Sequence, residues 1–180
     1  MKELSLHILD IAQNSIAAGC TLLELSLTER EGLLTLVIAD DGRGMSPDFL
    51  AAVTDPFTTT RTTRKIGLGL PLLRLAAEQT GGGLSIGSTV GVGTTVTACF
   101  RTDHIDCPPL GDMAGTVAAL VQGAPGIETV YTHSTGRGAF TFDTREIRDI
   151  LGDVPLDDPD VALWLNEYLR EQDGAVGGTA

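Results

Sequence analysis

Asp10 and Asn14 stand four residues apart in a segment of helical periodicity, so they share one face of a helix, one turn apart. A carboxylate and an amide carbonyl are hard oxygen donors. Mg2+ takes one or two such protein oxygens and fills its remaining positions with water and phosphate oxygens. Asn14 has the chemistry to ligate it, and Asp10 to orient or deprotonate an attacking group. A second cluster, Asp40-Asp41-Gly42-Arg43-Gly44-Met45, follows the apolar run 33–39. A carboxylate at the end of a buried strand, as Asp40 is, can accept a hydrogen bond from an exocyclic amine such as that of adenine. Gly42 and Gly44 let the backbone approach a flat base and adopt positive φ. Further on, Gly67-Leu68-Gly69 opens a helical stretch, where unpaired backbone N–H groups and the helix dipole favour an anion. Arg61, Arg64 and Lys65 precede it as a basic island able to meet phosphates. Last comes Gly91-Val92-Gly93-Thr94-Thr95.

Each piece alone has a plainer reading. Asp10 and Asn14 fit a solvent-facing helix surface, and the Asp-Gly cluster fits a turn held by an Asp side chain. The basic island fits a solvated loop, and the last motif fits a hairpin turn entering a strand. Their order along one chain suggests a nucleotide pocket without a Walker-type loop.

The elements that must position these residues are legible in the pattern. Leu4, Ile8, Leu9, Ile11, Ala12, Ile16 and Ala18 fill one half of a helical wheel over residues 3–19, with Glu3, His7, Asp10, Gln13 and Asn14 on the other half. Gly19 closes that helix. Residues 22–28 alternate as a half-buried strand, 29–32 turn, and 33–40 form the next strand. Ser46-Pro47 starts a short helix ending near Val53. A Thr-rich polar loop over 54–66 has the length of a lid over a ligand. A helix over about 68–79 and strands over 84–89 and 94–101 complete the first unit, residues 1–102. Helices packed on one face of a mixed, mainly antiparallel sheet give a two-layer α/β sandwich.

Residues 103–109 read as a linker, and 110–172 as a small acidic α/β extension with a frayed tail over 173–180. That extension holds a helix near 111–122, strands near 127–133 and 138–143, a helix opened by Asp143-Thr144-Arg145-Glu146, and a last helix opened by Asp158-Pro159. Trp164 and Tyr168 share a stripe of the last helix with Val161, Leu165 and Leu169. The stripe suits packing against the first unit, and alternatively a partner or a second copy of the chain.

The net charge is −12, and it is uneven: residues 1–102 hold ten acids and eight Lys or Arg, residues 103–180 fourteen acids and four Arg. An acidic chain repels phosphate backbones, so nucleic acid is not an expected partner. No stretch reaches the roughly 18 apolar residues that span a bilayer, and the first residues lack a signal-peptide pattern. A cytoplasmic location is the expectation. Cys20, Cys99 and Cys107 have no metal-binding or disulfide spacing.

The order of motifs resembles the ATP-binding domain shared by sensor histidine kinases, type II topoisomerases, the 90-kDa heat-shock chaperone and mismatch-repair MutL proteins, over about residues 3–102. Leu9-Asp10-Ile11-Ala12-Gln13-Asn14-Ser15 is similar to its N box, and Asp40 to Met45 to its first glycine box. Asp55-Pro56-Phe57-Thr58-Thr59-Thr60-Arg61 is similar to the F box of histidine kinases. Gly67-Leu68-Gly69-Leu70 and Gly91 to Thr95 are similar to the other glycine boxes. The resemblance implies a Bergerat-type ATP-binding fold. It implies that Asn14 holds Mg2+ and Asp40 reads the adenine of ATP. Gly42, Gly44, Gly67, Leu68, Gly69 and Thr95 would line the nucleotide, and Arg61, Arg64 and Lys65 would belong to a lid near the phosphates. Asp10 occupies the position of the family's catalytic carboxylate, usually a glutamate.

The N box begins within ten residues of Met1, which leaves no room for a phosphoacceptor hairpin before it, and none of His7, His104 and His133 lies in an acceptor motif. The expectation is therefore an ATP-dependent kinase acting on a separate protein in a signalling complex. The alternatives are a non-catalytic ATP sensor and a slow ATPase.

Overall fold

The computed structural model describes residues 3–54 and 69–177. Twelve elements follow in order: α1 (Leu4–Ala17), β1 (Leu22–Arg30), β2 (Leu33–Asp40), α2 (Pro47–Thr54), α3 (Gly69–Gln79), β3 (Gly83–Thr89), β4 (Gly93–Arg101), α4 (Met113–Gly123), β5 (Glu128–Thr135), β6 (Gly138–Asp143), α5 (Thr144–Leu151) and α6 (Pro159–Ala175). The six strands form one open sheet in the order β3-β4-β2-β1-β5-β6. All neighbours are antiparallel except β1 and β5, which run parallel.

Alternation sets the two faces of this sheet. Leu23, Leu25 and Leu27 of β1, Leu34, Leu36 and Ile38 of β2, and Val96, Ala98 and Phe100 of β4 are buried against the helices. Each such side chain contributes about 1.5–3 kcal/mol when fully buried. The intervening residues, Glu24, Ser26 and Thr28 among them, keep contact with solvent. Helix α1 sits at the centre of the helical layer, between α3 and α4. Its solvent stripe is accordingly narrow: Leu6, Asp10, Gln13 and Ala17. His7, placed on the polar half of the wheel by residue type, is buried instead, because α1 has neighbours on both flanks.

Residues 110–172, expected as a small appended unit, extend the same sheet and the same core. β5 pairs with the central strand β1 over Leu22–Thr28. Met113, Val117 and Val121 of α4 and Leu165 and Leu169 of α6 join Leu4, Ile8 and Leu23 in one apolar cluster. The segment expected as a linker ends in a structural contact. The first-turn amides of α1, on Leu4 and Ser5, donate to the carbonyls of Pro109 and Leu110 at 2.9 Å each. Glu3 supplies no side-chain cap there, so these carbonyls take its place. The far end of α6 is tied to the sheet by a buried polar cluster. Asp173 accepts from the Tyr131 hydroxyl at 2.8 Å and lies 2.7 Å from His133 Nδ1. Burial, with Asp173 beside it, pushes the Tyr131 phenol well above its ordinary pKa. Trp164 and Tyr168 stack with ring centroids 5.1 Å apart, and Trp164 stays 42% exposed. Among the described residues, no helix is long and apolar enough to cross a membrane.

Candidate functional site

Asp40 is the last residue of β2 and continues the inward parity of Leu34, Leu36 and Ile38, so it reaches toward α1 at the end of the sheet. Its Oδ2 accepts from the Ser15 hydroxyl at 2.6 Å, and its Oδ1 accepts from the Gly42 amide at 2.9 Å. Ser15 also lies 3.4 Å from the Ile11 carbonyl, but its single proton goes to the shorter, charged acceptor. The carboxylate is thus fixed in rotamer from two sides. It stays half-buried, with lone pairs left for a further donor. Gly42 is buried beside it; a Cβ there would stand 3.0 Å from Asp40 Oδ1 and 3.1 Å from the Ala18 carbonyl oxygen. A side chain there would press on both the carboxylate and the end of α1, which would have to give by a few tenths of an ångström.

The turn is anchored on both sides. Arg43 donates from its amide to the Ala18 carbonyl at 3.1 Å and from its guanidinium to the Ala17 carbonyl at 2.9 Å. Its own carbonyl accepts from Gly91 at 2.7 Å, joining the turn to the β3–β4 connection. Gly44, at φ +72°, is pressed against that connection, and a Cβ would fall 2.1 Å from the Thr89 carbonyl oxygen. Burial of the Cys20 thiol nearby, together with the Asp40 and Asp41 carboxylates, pushes its pKa up to about 11. It is a packed, protonated neighbour of the turn.

The two acids of the turn have separate tasks. Asp41 faces away from the site and accepts from the Thr21 amide at 2.7 Å, the Leu22 amide at 2.9 Å and the Thr21 hydroxyl. These bonds, led by that of the Thr21 hydroxyl, hold its carboxyl below the ordinary carboxylate value. A lowered folded pKa gives stability that is present above the unfolded pKa of about 3.9 and lost as pH falls through the folded value. Asp41→Ala is therefore expected to cost about 1 kcal/mol at pH 7, since the site is exposed and screened. Urea unfolding at pH 7 and at pH 3 checks this. The deficit should narrow at the lower pH, and a deficit equal at both would contradict the ionic origin.

Asp10 lies exposed on α1 and Asn14 half-buried one turn further on. Gly69, the first residue of α3, packs directly against Asp10: a Cβ on Gly69 would stand 3.1 Å from Asp10 Cβ and 3.3 Å from Ile11 Cγ1. The Gly69 end of α3 therefore adjoins the Asp10 end of α1. Asn14 precedes Ser15, whose hydroxyl holds Asp40, so the Asp40–Gly42 turn and Gly69 both adjoin the stretch of α1 that carries Asp10 and Asn14. Arg61, Arg64, Lys65, Gly67 and Leu68 lie outside the described residues. Thr95 is exposed on the far face of the sheet. Its neighbour Thr94 has the inward parity and stands opposite Asp40 in the β2–β4 register.

Ser15 and Thr94 are site neighbours that motif reading passed over. Both carried a signal. Ser15 is a hydroxyl on the sheet-facing side of α1, where a polar group needs a buried partner. Thr94 has the same parity as Val96, Ala98 and Phe100. Among the described residues, no three His, Cys, Asp or Glu side chains cluster as a metal centre. An Mg2+ ion held by one amide oxygen, with phosphate and water as its other ligands, needs no such cluster.

Residues 2–104 match the family described as histidine kinase-, DNA gyrase B-, and HSP90-like ATPase. The histidine protein kinase DivJ of Caulobacter vibrioides is 40% identical over 70 residues, 37% of this chain and 12% of that protein. The C4-dicarboxylate transport sensor protein DctB of Pseudomonas aeruginosa is 41% identical over 64 residues, 35% of this chain and 10% of that protein. The chain thus spans about a tenth of the length of these relatives. The crystal structure of the N-terminal domain of a DNA repair protein superimposes with a TM-score of 0.53 at 14% identity, over 79% of this chain and 52% of that one. At that identity the likeness concerns the fold.

Proposed function

The chain belongs to the family of histidine kinase-, DNA gyrase B- and HSP90-like ATPases, and from that premise we propose that it binds ATP with Mg2+ where the Asp40–Gly42 turn and Gly69 adjoin α1 and transfers the γ-phosphoryl group to a separate signalling protein. The observation that carries the proposal is the half-buried Asp40 carboxylate, pinned by Ser15 and Gly42 with acceptor capacity left over. An ionised carboxylate only accepts, so it favours the exocyclic amine of adenine at that point.

The other groups take roles consistent with their positions. Asn14 Oδ1 is the protein oxygen that would hold Mg2+, which would offset the charge of the phosphates. In this reading the Gly69 end of α3 would meet the same phosphates, with Arg61, Arg64 and Lys65 as the cations that precede it in the sequence. Asp10, exposed beside Gly69, accepts the proton of the attacking hydroxyl or imidazole. The histidines of the described residues are consistent with an acceptor outside them, in this reading on a separate protein. His7 and His133 are buried, which leaves only His104 accessible.

Calorimetry should give micromolar-class binding of ATP–Mg2+, reduced at least tenfold, about 1.4 kcal/mol, in Asp40→Ala. Unchanged affinity in that variant would remove the pocket assignment. γ-Labelled ATP, incubated with the protein and a lysate of its source, should label a partner, and Asp10→Asn should abolish the transfer. Tight binding with neither turnover nor transfer would make the protein an ATP sensor, and turnover without transfer an ATPase.

A further inference from the structure

Helix α6 divides its apolar residues between two faces. Val161, Leu165 and Leu169 are buried in the core cluster, and α6 packs on α4. The opposite face carries Asp160, Leu163, Trp164, Glu167 and Glu171, all exposed, with Tyr168 half-buried at its margin. Asp160, Trp164, Glu167 and Glu171 follow one another at steps of four, three and four residues. On a helix that spacing makes a straight seam, the kind that lies along a second helix. Leu163, 68% exposed, and Tyr168 flank the seam on either side. The Trp164 ring lies nearly parallel to that of Tyr168, at 14°. One face of the indole is thus covered and fixed, and its exposed area lies on the other face and the edge. Among the described residues, no ion pair involves Asp160, Glu167 or Glu171. By contrast Arg145, Arg148 and Arg170 of the same C-terminal part each hold a carboxylate.

We propose that this face of α6 docks an arginine-bearing amphipathic helix of a partner protein. Three carboxylates along one seam ask for cations at matching steps. A guanidinium serves them better than an ammonium, because it meets a carboxylate with two parallel N–H groups and stacks flat on an indole. The partner's apolar residues cover Leu163 and the open side of Trp164. Trp, Tyr and Arg are also the residue types that carry most of the energy of protein interfaces. Charge decides against other occupants. A second copy would set the carboxylates of this face against their own equivalents, since a two-fold contact uses the same patch on both sides. Anionic lipid and nucleic acid are repelled by the same acids. Helix α6 reaches α1 only by way of α4, so the surface is separate from the nucleotide site. Nothing in the inference depends on nucleotide binding, and its failure leaves the ATP reading standing.

The probe is a synthetic peptide of about 18 residues, long enough to run the length of α6, built of Arg, Leu and Ala in amphipathic helical order. Its control has the same composition in scrambled order. Trp164 is the single tryptophan of the chain, so its emission reports on this face of α6 directly. The ordered peptide should bind the full chain saturably and move that emission to shorter wavelength, and the scrambled one should bind roughly tenfold more weakly. Anisotropy of a labelled peptide extends the measurement to variants. Trp164→Ala should weaken binding about tenfold or more. Glu167→Gln with Glu171→Gln should weaken it several-fold and flatten its dependence on salt. Glu24→Gln with Glu31→Gln removes the same charge from exposed positions on β1 and the β1–β2 turn and should leave the affinity unchanged. Thermal melting checks that each variant folds, and the two charge variants decide the matter if Trp164→Ala does not. Equal affinity for the ordered and scrambled peptides, or equal losses in the two charge variants, would reduce the effect to the net charge of the chain and overturn the inference. A dimer seen by light scattering and broken by Trp164→Ala would assign the face to a second copy, and an emission shift on phosphatidylglycerol vesicles would assign it to lipid. Either result overturns the inference, as does the absence of saturable peptide binding.

Discussion

A chain cut after residue 104 is expected to lose cooperative folding and ATP binding together, although the family match ends there. The cut leaves β1 as an edge strand, stripping its parallel pairing with β5 from Leu22 to Thr28. It also uncovers the flank of α1 that packs on α4 and removes Met113 and Val117 from the cluster in which Leu4 and Ile8 are fully buried. The Leu4 and Ser5 amides lose the carbonyls of Pro109 and Leu110. Two large aliphatic side chains exposed at about 1.5–3 kcal/mol each, with the lost ladder, approach the whole stability of an ordinary domain, about 5–15 kcal/mol. Because α1 carries Asp10, Asn14 and Ser15, its loosening should remove the site along with the fold. Circular dichroism melting and calorimetry of residues 1–104 check the result. A cooperative transition with ATP affinity near that of the full chain would show that the C-terminal part is dispensable.

The same contact explains which part of the architecture the sequence conveys. All twelve elements are visible in it, because alternation, helical spacing and capping residues are local. Asp143 caps α5 and Asp158 caps α6 through the amides two residues on, as their positions before each helix suggest. Which strand lies beside which is not local. The apolar residues of β5, Val130 and Tyr131, say that one face is buried, but not that β1 is the neighbour. The acidic composition of residues 103–180 points to an independent unit, since charge reports on the surface and not on the core. His7 shows the same limit on α1. Its residue type suggests solvent, while burial depends on helices packed on α1 that are distant in sequence.

At the site, the motif residues were legible and their supports were less so. Asp40 stands out through its position after an apolar run. The partners that fix it come from α1 and from the Gly42 amide, at sequence separations of 25 and 2 residues. Ser15 follows the residue that motif reading selects, and Thr94 precedes the one it selects. In both cases the deciding fact is which face a side chain occupies. Parity along β4 supplies that fact once Val96, Ala98 and Phe100 are taken as the inner face.

Gly93 is the position where a single methyl group is expected to do most damage. Its φ is +143°, a conformation that L side chains avoid. A Cβ there would fall 2.0 Å from the Asp40 carbonyl oxygen, 2.9 Å from its carbon and 3.0 Å from Asp41 Cα. All three are backbone atoms, so no side-chain rotation relieves the clash. Either β4 or the end of β2 has to move. Backbone strain of about 1–3 kcal/mol and overpacking of similar size make Gly93→Ala roughly 3 kcal/mol less stable or worse. For a chain of this length that lowers Tm by roughly 6–12 °C. The displaced group is the backbone of Asp40 itself, so ATP affinity should fall more than tenfold at temperatures where the variant is still folded. Gly91→Ala is the control. It too has positive φ, +79°, but nothing lies within 4 Å of its added Cβ. It should cost about 1 kcal/mol for the left-handed conformation and leave ATP affinity near the wild-type value. Calorimetry and thermal melting of both variants separate strain in the hairpin from displacement of Asp40. Equal losses of affinity in the two would mean that the β3–β4 connection as a whole, and not its contact with Asp40, governs the site.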